Sequence, residues 1–191
     1  MSPVGVAALF AIGLALFIVL YIVYATYNDV VALRQRIDKA WANVDVALKQ
    51  RWDELPNLVE AVRDVMAFEQ EVVTEVARLR AAYSPTASIP AQAAVSEATS
   101  GALRQLFAVV ERYPSLKSQT NVLDLQNEIE RLEGIIADRR ELYNDQVYRY
   151  NTRIAQVPAV YLAGLFGWQP RPFFAALPSE VARPDITLAT E

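Results

Sequence analysis

The sequence has no cysteine, no histidine and only six glycines in 191 residues. Without Cys there is no disulfide framework, thiol nucleophile, thiolate metal site or cysteine-linked lipid. Without His, His-containing catalytic triads, zinc sites and the Glu-x-x-His di-iron sites of helical bundles are all excluded. Charge is also missing locally: no Lys or Arg precedes Arg34, and nothing between Val4 and Tyr27 is charged. The formal net charge is −4, and no basic cluster stands apart from acidic neighbours, which argues against nucleic acid as a partner. No Gly-rich phosphate loop, Walker pattern or nucleophile elbow is present. The sequence therefore offers no catalytic, cofactor-binding or metal-ligating set, and a non-enzymatic protein is expected.

What the chain does have is a long apolar run. At about 1.5 Å per residue, Val4 to Tyr27 reaches roughly 36 Å, enough to cross a hydrocarbon core of about 30 Å with some tilt. Its middle is filled by Leu9, Phe10, Ile12, Leu14, Leu16, Phe17, Ile18, Val19 and Leu20. A cleaved signal would have a basic start, a shorter core and a small-x-small exit. Here the exit is aromatic, with Tyr21, Tyr24 and Tyr27 suited to an interfacial belt. A retained single-pass anchor over 1–27 is the expectation. The first basic residues, Arg34, Arg36 and Lys39, follow the span, so positive-inside bias favours an outside N-terminus and a cytoplasmic domain. Ala7, Ala11 and Ala15 recur every fourth position, either as a small-residue stripe for self-association or simply because alanine is common in such spans.

Beyond the run the apolar spacing is helical throughout. Val30, Leu33, Ile37, Trp41, Val44 and Leu48 mark a first helix continuous with the anchor and ending between Lys49 and Trp52. Asp53 as N-cap and Pro56 in a first turn favour a tight turn into a second helix over Leu55 to Tyr83, with a kink at Pro56 as the alternative. Ser84 to Pro90 reads as a loop, and the Ala/Ser-rich stretch to Gly101 carries the least pattern. Leu103, Leu106, Phe107 and Val110 make a short third helix, and Val122 to Val157 a long fourth one. With no strand alternation, the predicted fold is all-α, an antiparallel up-and-down four-helix bundle over 28–157 after one transmembrane helix. Such a topology returns the chain to the bilayer, where the apolar and aromatic segment 158–176 either lies at the interface or plugs the bundle. Residues 177–191, with two prolines, read as a flexible tail.

The candidate functional residues follow from this layout. Ala7, Ala11, Ala15, Tyr21, Tyr24, Tyr27, Leu165, Phe166, Trp168, Phe173 and Phe174 are candidates for membrane contact or self-association. Asn28, Asn57, Asn144 and Asn151 are candidates for polar positions that specify bundle register, three of them in Tyr-Asn pairs. Carboxylates sharing a helix face, such as Glu60 and Asp64, Asp124 and Glu128, or Glu130 and Glu133, read as solvated charge with nearby arginines rather than cation ligands. The bilayer and either a second copy or other membrane proteins are the expected partners. A sensory module that binds a ligand or divalent cation between helices is the alternative.

An ordered set of motifs resembles the LemA family. Tyr27-Asn28, Ala40-Trp41-Ala42-Asn43-Val44-Asp45-Val46, Leu48-Lys49-Gln50-Arg51 and Leu55-Pro56-Asn57-Leu58-Val59-Glu60 match its first half. Tyr113-Pro114, Leu116-Lys117, Leu125-Gln126, Tyr143-Asn144, Val147, Tyr150-Asn151, Ala163-Gly-Leu-Phe-Gly167 and Pro170-Arg-Pro-Phe-Phe174 match its second. Phe68 replaces a His that relatives often place before Glu69, and Leu132-Glu133-Gly134 replaces a Thr-Glu-Asn-like sequence. The resemblance implies a bacterial membrane protein with one N-terminal span, a cytoplasmic antiparallel four-helix bundle and no established enzymatic activity.

Overall fold

The computed structural model describes residues 3–63, 70–117 and 119–174. Among them every regular element is a helix: α1 (Pro3–Arg63), α2 (Gln70–Ala82), α3 (Ile89–Val110), the single turn α4 (Pro114–Lys117), α5 (Thr120–Ala155) and α6 (Ala159–Phe166). The 177–191 tail and the departure at Phe68 and Glu69 lie outside the described residues.

The apolar run continues into the following amphipathic helix without interruption, because no Gly or Pro lies between Gly13 and Pro56. The turn expected near Asp53 is not formed. α1 (Pro3–Arg63) passes through Pro56, beyond the end expected between Lys49 and Trp52. Proline inside a helix costs about 3 kcal/mol through one lost backbone hydrogen bond and a ring clash. Burial opposes that cost: Leu48, Trp52, Leu55, Leu58, Val59 and Val62 form one buried row, which a turn at Pro56 would break.

Residues 89–101 are helical too, so α3 begins inside the expected loop and well before Leu103. Ser88 caps α3, its side chain accepting from the Ala91 N–H at 3.4 Å, and Pro90 occupies the first turn. Gln92 is buried and donates to the carbonyls of Pro85 and Ala87 at 3.2 and 2.9 Å, tying the preceding loop to the helix. The pattern is regular once small polar residues are admitted to it. Gln92, Ser96, Thr99, Leu103, Leu106 and Val110 recur at intervals of three and four, and all are buried.

The chain divides into two compact units, and both α1 and α5 contribute to each. One unit comprises Met1–Ala42 with Leu142–Arg171. There the buried residues Val30, Leu33 and Ile37 of α1 and Tyr143, Val147, Tyr150 and Ile154 of α5 supply the core. The helices run antiparallel, since Asp29 pairs with Arg153 while Trp41 meets Tyr143 edge-on at 5.5 Å. The other unit comprises Asn43–Glu141 with the described residues from Pro172 onward. Its core draws on α1, on Val76 and Leu79 of α2, on α3, and on Val122, Ile129, Leu132 and Ile136 of α5.

Candidate functional site

Two places in the molecule combine unusual chemistry with defined geometry, one in each unit.

In the first unit, α1 leaves its charge-free stretch at Tyr27, and the chain after α5 meets it there. Tyr27 packs edge-on against Phe166 at 5.2 Å, and lies 6.2 Å from Trp168, which stacks on Phe166 at 5.2 Å. Two features place these rings. Gly167, at φ 65°, ends α6 in the left-handed region, where glycine has no Cβ penalty, and the Gly167 and Trp168 N–H groups both donate to the Ala163 carbonyl. The second is a clamp from α5. Asn151 Nδ2 donates to the Arg171 carbonyl at 2.9 Å, the Arg171 N–H donates back to Asn151 Oδ1 at 2.8 Å, and the Tyr150 hydroxyl donates to the Gln169 carbonyl at 3.1 Å. One Tyr-Asn pair therefore holds the segment after α6 through its backbone. Buried Tyr143 sits near Asp38 and Arg171, and burial, only partly opposed by Arg171, raises its hydroxyl above the usual tyrosine value.

Asn151→Ala is expected to remove two backbone-directed hydrogen bonds worth about 1 kcal/mol each. Faster amide exchange at Arg171, with unchanged exchange in the middle of α5, would be the signature. Asn151→Asp keeps the acceptor but places a carboxylate against the Arg171 carbonyl, so it should free the segment as well.

The other candidate residues are spread more widely. Ala7, Ala11 and Ala15 are exposed, as are Tyr21 and Tyr24, and the run is covered only near its end, where Thr26 is buried and Tyr27 meets Phe166. Asn28 and Asn57 are exposed and bond locally, to the Tyr24 carbonyl at 2.9 Å and to Glu54 at 3.1 Å. Neither is a buried polar position of the kind that fixes register. Asn144 is half-buried. Leu165 is exposed and Trp168 buried. Phe173 is partly exposed, whereas Phe174 is buried in the second unit, beside a cleft lined by Ala93, Ile136 and Ala137 among others.

That second unit holds a polar cluster around Arg51, whose side chain is 0% exposed. Its guanidinium donates to Glu133 Oε1 at 2.6 Å, Ser100 Oγ at 3.1 Å and Ser96 Oγ at 2.9 Å, and Ser100 Oγ donates to Glu133 Oε2 at 2.5 Å. A buried cation is tolerable only when paired and hydrogen-bonded, and this arrangement supplies both. Beside it lies a groove of about 450 Å³ lined by Ser100, Leu103, Arg104, Phe107, Glu130 and Glu133. Sequence reasoning missed Arg51, Ser96 and Ser100. A signal existed, since Arg51 is three residues after Leu48 and four before Leu55, a lone charge on an apolar row. Nearby, the Tyr83 hydroxyl faces Asp45 at 3.4 Å while its ring stacks on Trp52 at 4.9 Å. Burial first, and the Asp45 charge second, raise its pKa.

Among the described residues the carboxylates do not gather. Glu128 pairs with Arg131 three residues away, Glu133 with Arg51, and no group of three acidic side chains converges among the described residues.

Comparison with protein families matches the LemA family over residues 40–188. Among curated proteins, the chain is similar to magnetosome proteins MamQ 1 and MamQ 2 of Paramagnetospirillum magneticum, each 36% identical over 78 residues, which is 41% of this chain and 29% of the relative. Magnetosome protein MamQ of Magnetospirillum gryphiswaldense is 32% identical over the same length and the same shares. The match spans less than a third of these relatives.

Proposed function

The chain belongs to the LemA family, and from that premise we propose that it is a non-enzymatic, self-associating scaffold anchored in a bacterial membrane by a single pass of α1. In this reading α1, α2, α3 and α5 form an antiparallel four-helix bundle on the cytoplasmic side, and the N-terminus lies outside. One observation carries the proposal: α1 is long and apolar enough to cross a membrane, and none of its most apolar 18 residues is buried. A core helix of a soluble protein would be covered by its neighbours, whereas this one exposes Leu9, Phe10, Phe17 and Leu20 together. Ala7, Ala11 and Ala15, on one exposed row, supply a surface on which two such helices could approach closely.

Native mass measurement of the full chain in mild detergent tests this. A particle larger than one chain is expected, reduced to a monomer when Ala7, Ala11 and Ala15 are all replaced by isoleucine. A strictly monomeric wild-type particle would count against self-association.

The groove between α3 and α5 supports a second reading, a sensory module that binds a small ligand or divalent cation between helices. Calorimetry with magnesium and calcium separates the two, since heat of binding with a raised melting temperature would favour sensing. The similarity to magnetosome proteins covers too little of those chains to carry their role here.

A further inference from the structure

We infer that α6 is an interfacial helix, a second membrane contact that lies on the lipid surface on the side where α1 emerges. The inference rests on the membrane reading of α1 and adds the place where the chain touches lipid again. From Val157 to Pro170 there is no charged residue. α6 has eight residues and measures roughly 12 Å, far too short to span. Its outward residues are apolar: Tyr161 and Leu165, four apart, are each 77% exposed, and Val157, in the turn before the helix, is 69% exposed. Val160 and Gly164 lie beside them, and a side chain added at Gly164 would meet nothing within 4 Å.

Placement says what covers this face. The Tyr27, Phe166 and Trp168 rings fix the end of α6 at the level of α1 where the charge-free run stops. Asp29, only two residues past Tyr27 along α1, already pairs with Arg153. Tyr27 thus marks the step from apolar to charged surface, and Phe166, the residue after exposed Leu165, packs against it. Lipid is the occupant with continuous chemistry, because α1 and α6 would share one interface, with Tyr and Trp at the depth those side chains favour.

The chain is free of cysteine, so single labels report depth in the full-length protein. Leu14→Cys, Tyr161→Cys, Leu165→Cys and Thr120→Cys are each labelled with an environment-sensitive fluorophore. The labelled chains are reconstituted in phosphatidylethanolamine–phosphatidylglycerol vesicles that carry nitroxide quenchers at the headgroup or at mid-chain. The expected result is strong loss of Leu14→Cys emission to the mid-chain quencher, and loss of Tyr161→Cys and Leu165→Cys emission mainly to the headgroup quencher, at the roughly 5–10 Å depth of an interfacial helix. Thr120→Cys should lose none. Quenching at position 14 with none at 161 and 165 overturns the inference and leaves the anchor standing. No quenching at 14 overturns the anchor itself, and the inference with it. Blue-shifted emission at 161 and 165 without quenching by either lipid overturns the inference in favour of a second copy or another protein on that face.

Discussion

Arginines introduced together at Leu14 and Ile18 are expected to release the protein from membranes. An arginine at the centre of a spanning helix costs about 2.5–3.5 kcal/mol, so two cost roughly 5–7 kcal/mol. The apolar side chains in the middle of the run each favour insertion by about 0.3–0.6 kcal/mol, roughly 3–5 kcal/mol in all. The balance therefore changes sign. Both positions are exposed and contribute nothing to the packed units, so helicity and melting of the remainder should be preserved. Alkaline extraction of membranes followed by sedimentation measures the effect: the wild type stays in the pellet and the double variant appears in the supernatant. If the double variant stayed in the pellet, membrane association would have to come from elsewhere in the chain.

Glu133→Ala should be the most damaging single change in the second unit. It leaves the Arg51 guanidinium buried with only two serine hydroxyls, and removing one partner of a buried pair costs about 3–5 kcal/mol. Because Glu133 is itself 29% exposed, the low end of that range applies. At about 2–4 °C per kcal/mol for a domain of this size, the melting temperature should fall by roughly 6–12 °C. Arg51→Met should cost less, since its methionine stem still fills the row while the remaining carboxylate can hydrate. Combining Arg51→Met with Glu133→Leu should recover most of the loss, because paired apolar replacements of buried ion pairs are often neutral. Thermal unfolding followed by circular dichroism over this cycle measures the coupling. A Glu133→Ala variant that melts with the wild type would show that Arg51 finds water or another acceptor.

These two predictions draw on different depths of legibility. The arginine test could be designed from the sequence alone, since absence of charge and length of run are local properties. Helices α1 and α5 were legible for the same reason: a repeat of three and four residues expresses helical geometry directly. Two readings failed where a local signal met a non-local competitor. Pro56 signals a break, but the buried row on either side of it keeps α1 continuous. The Ala/Ser-rich stretch before Gly101 signals little, because small polar residues become core residues only when a partner such as Arg51 bonds to them.

The Asn residues make the same point. Tyr27-Asn28 and Tyr150-Asn151 are identical dipeptides on helices, yet Asn28 bonds back to its own turn while Asn151 clamps a segment twenty residues onward. By itself the sequence determined the all-α class, the charge-free helix and the family motifs, since each depends on residues within a few turns of one another. Only the tertiary structure decided that Arg51 pairs with Glu133 across 82 positions, that Asn151 holds Arg171, and that Tyr27 meets Phe166. Such partners depend on which helix faces are brought together, and burial makes that choice over the whole chain at once.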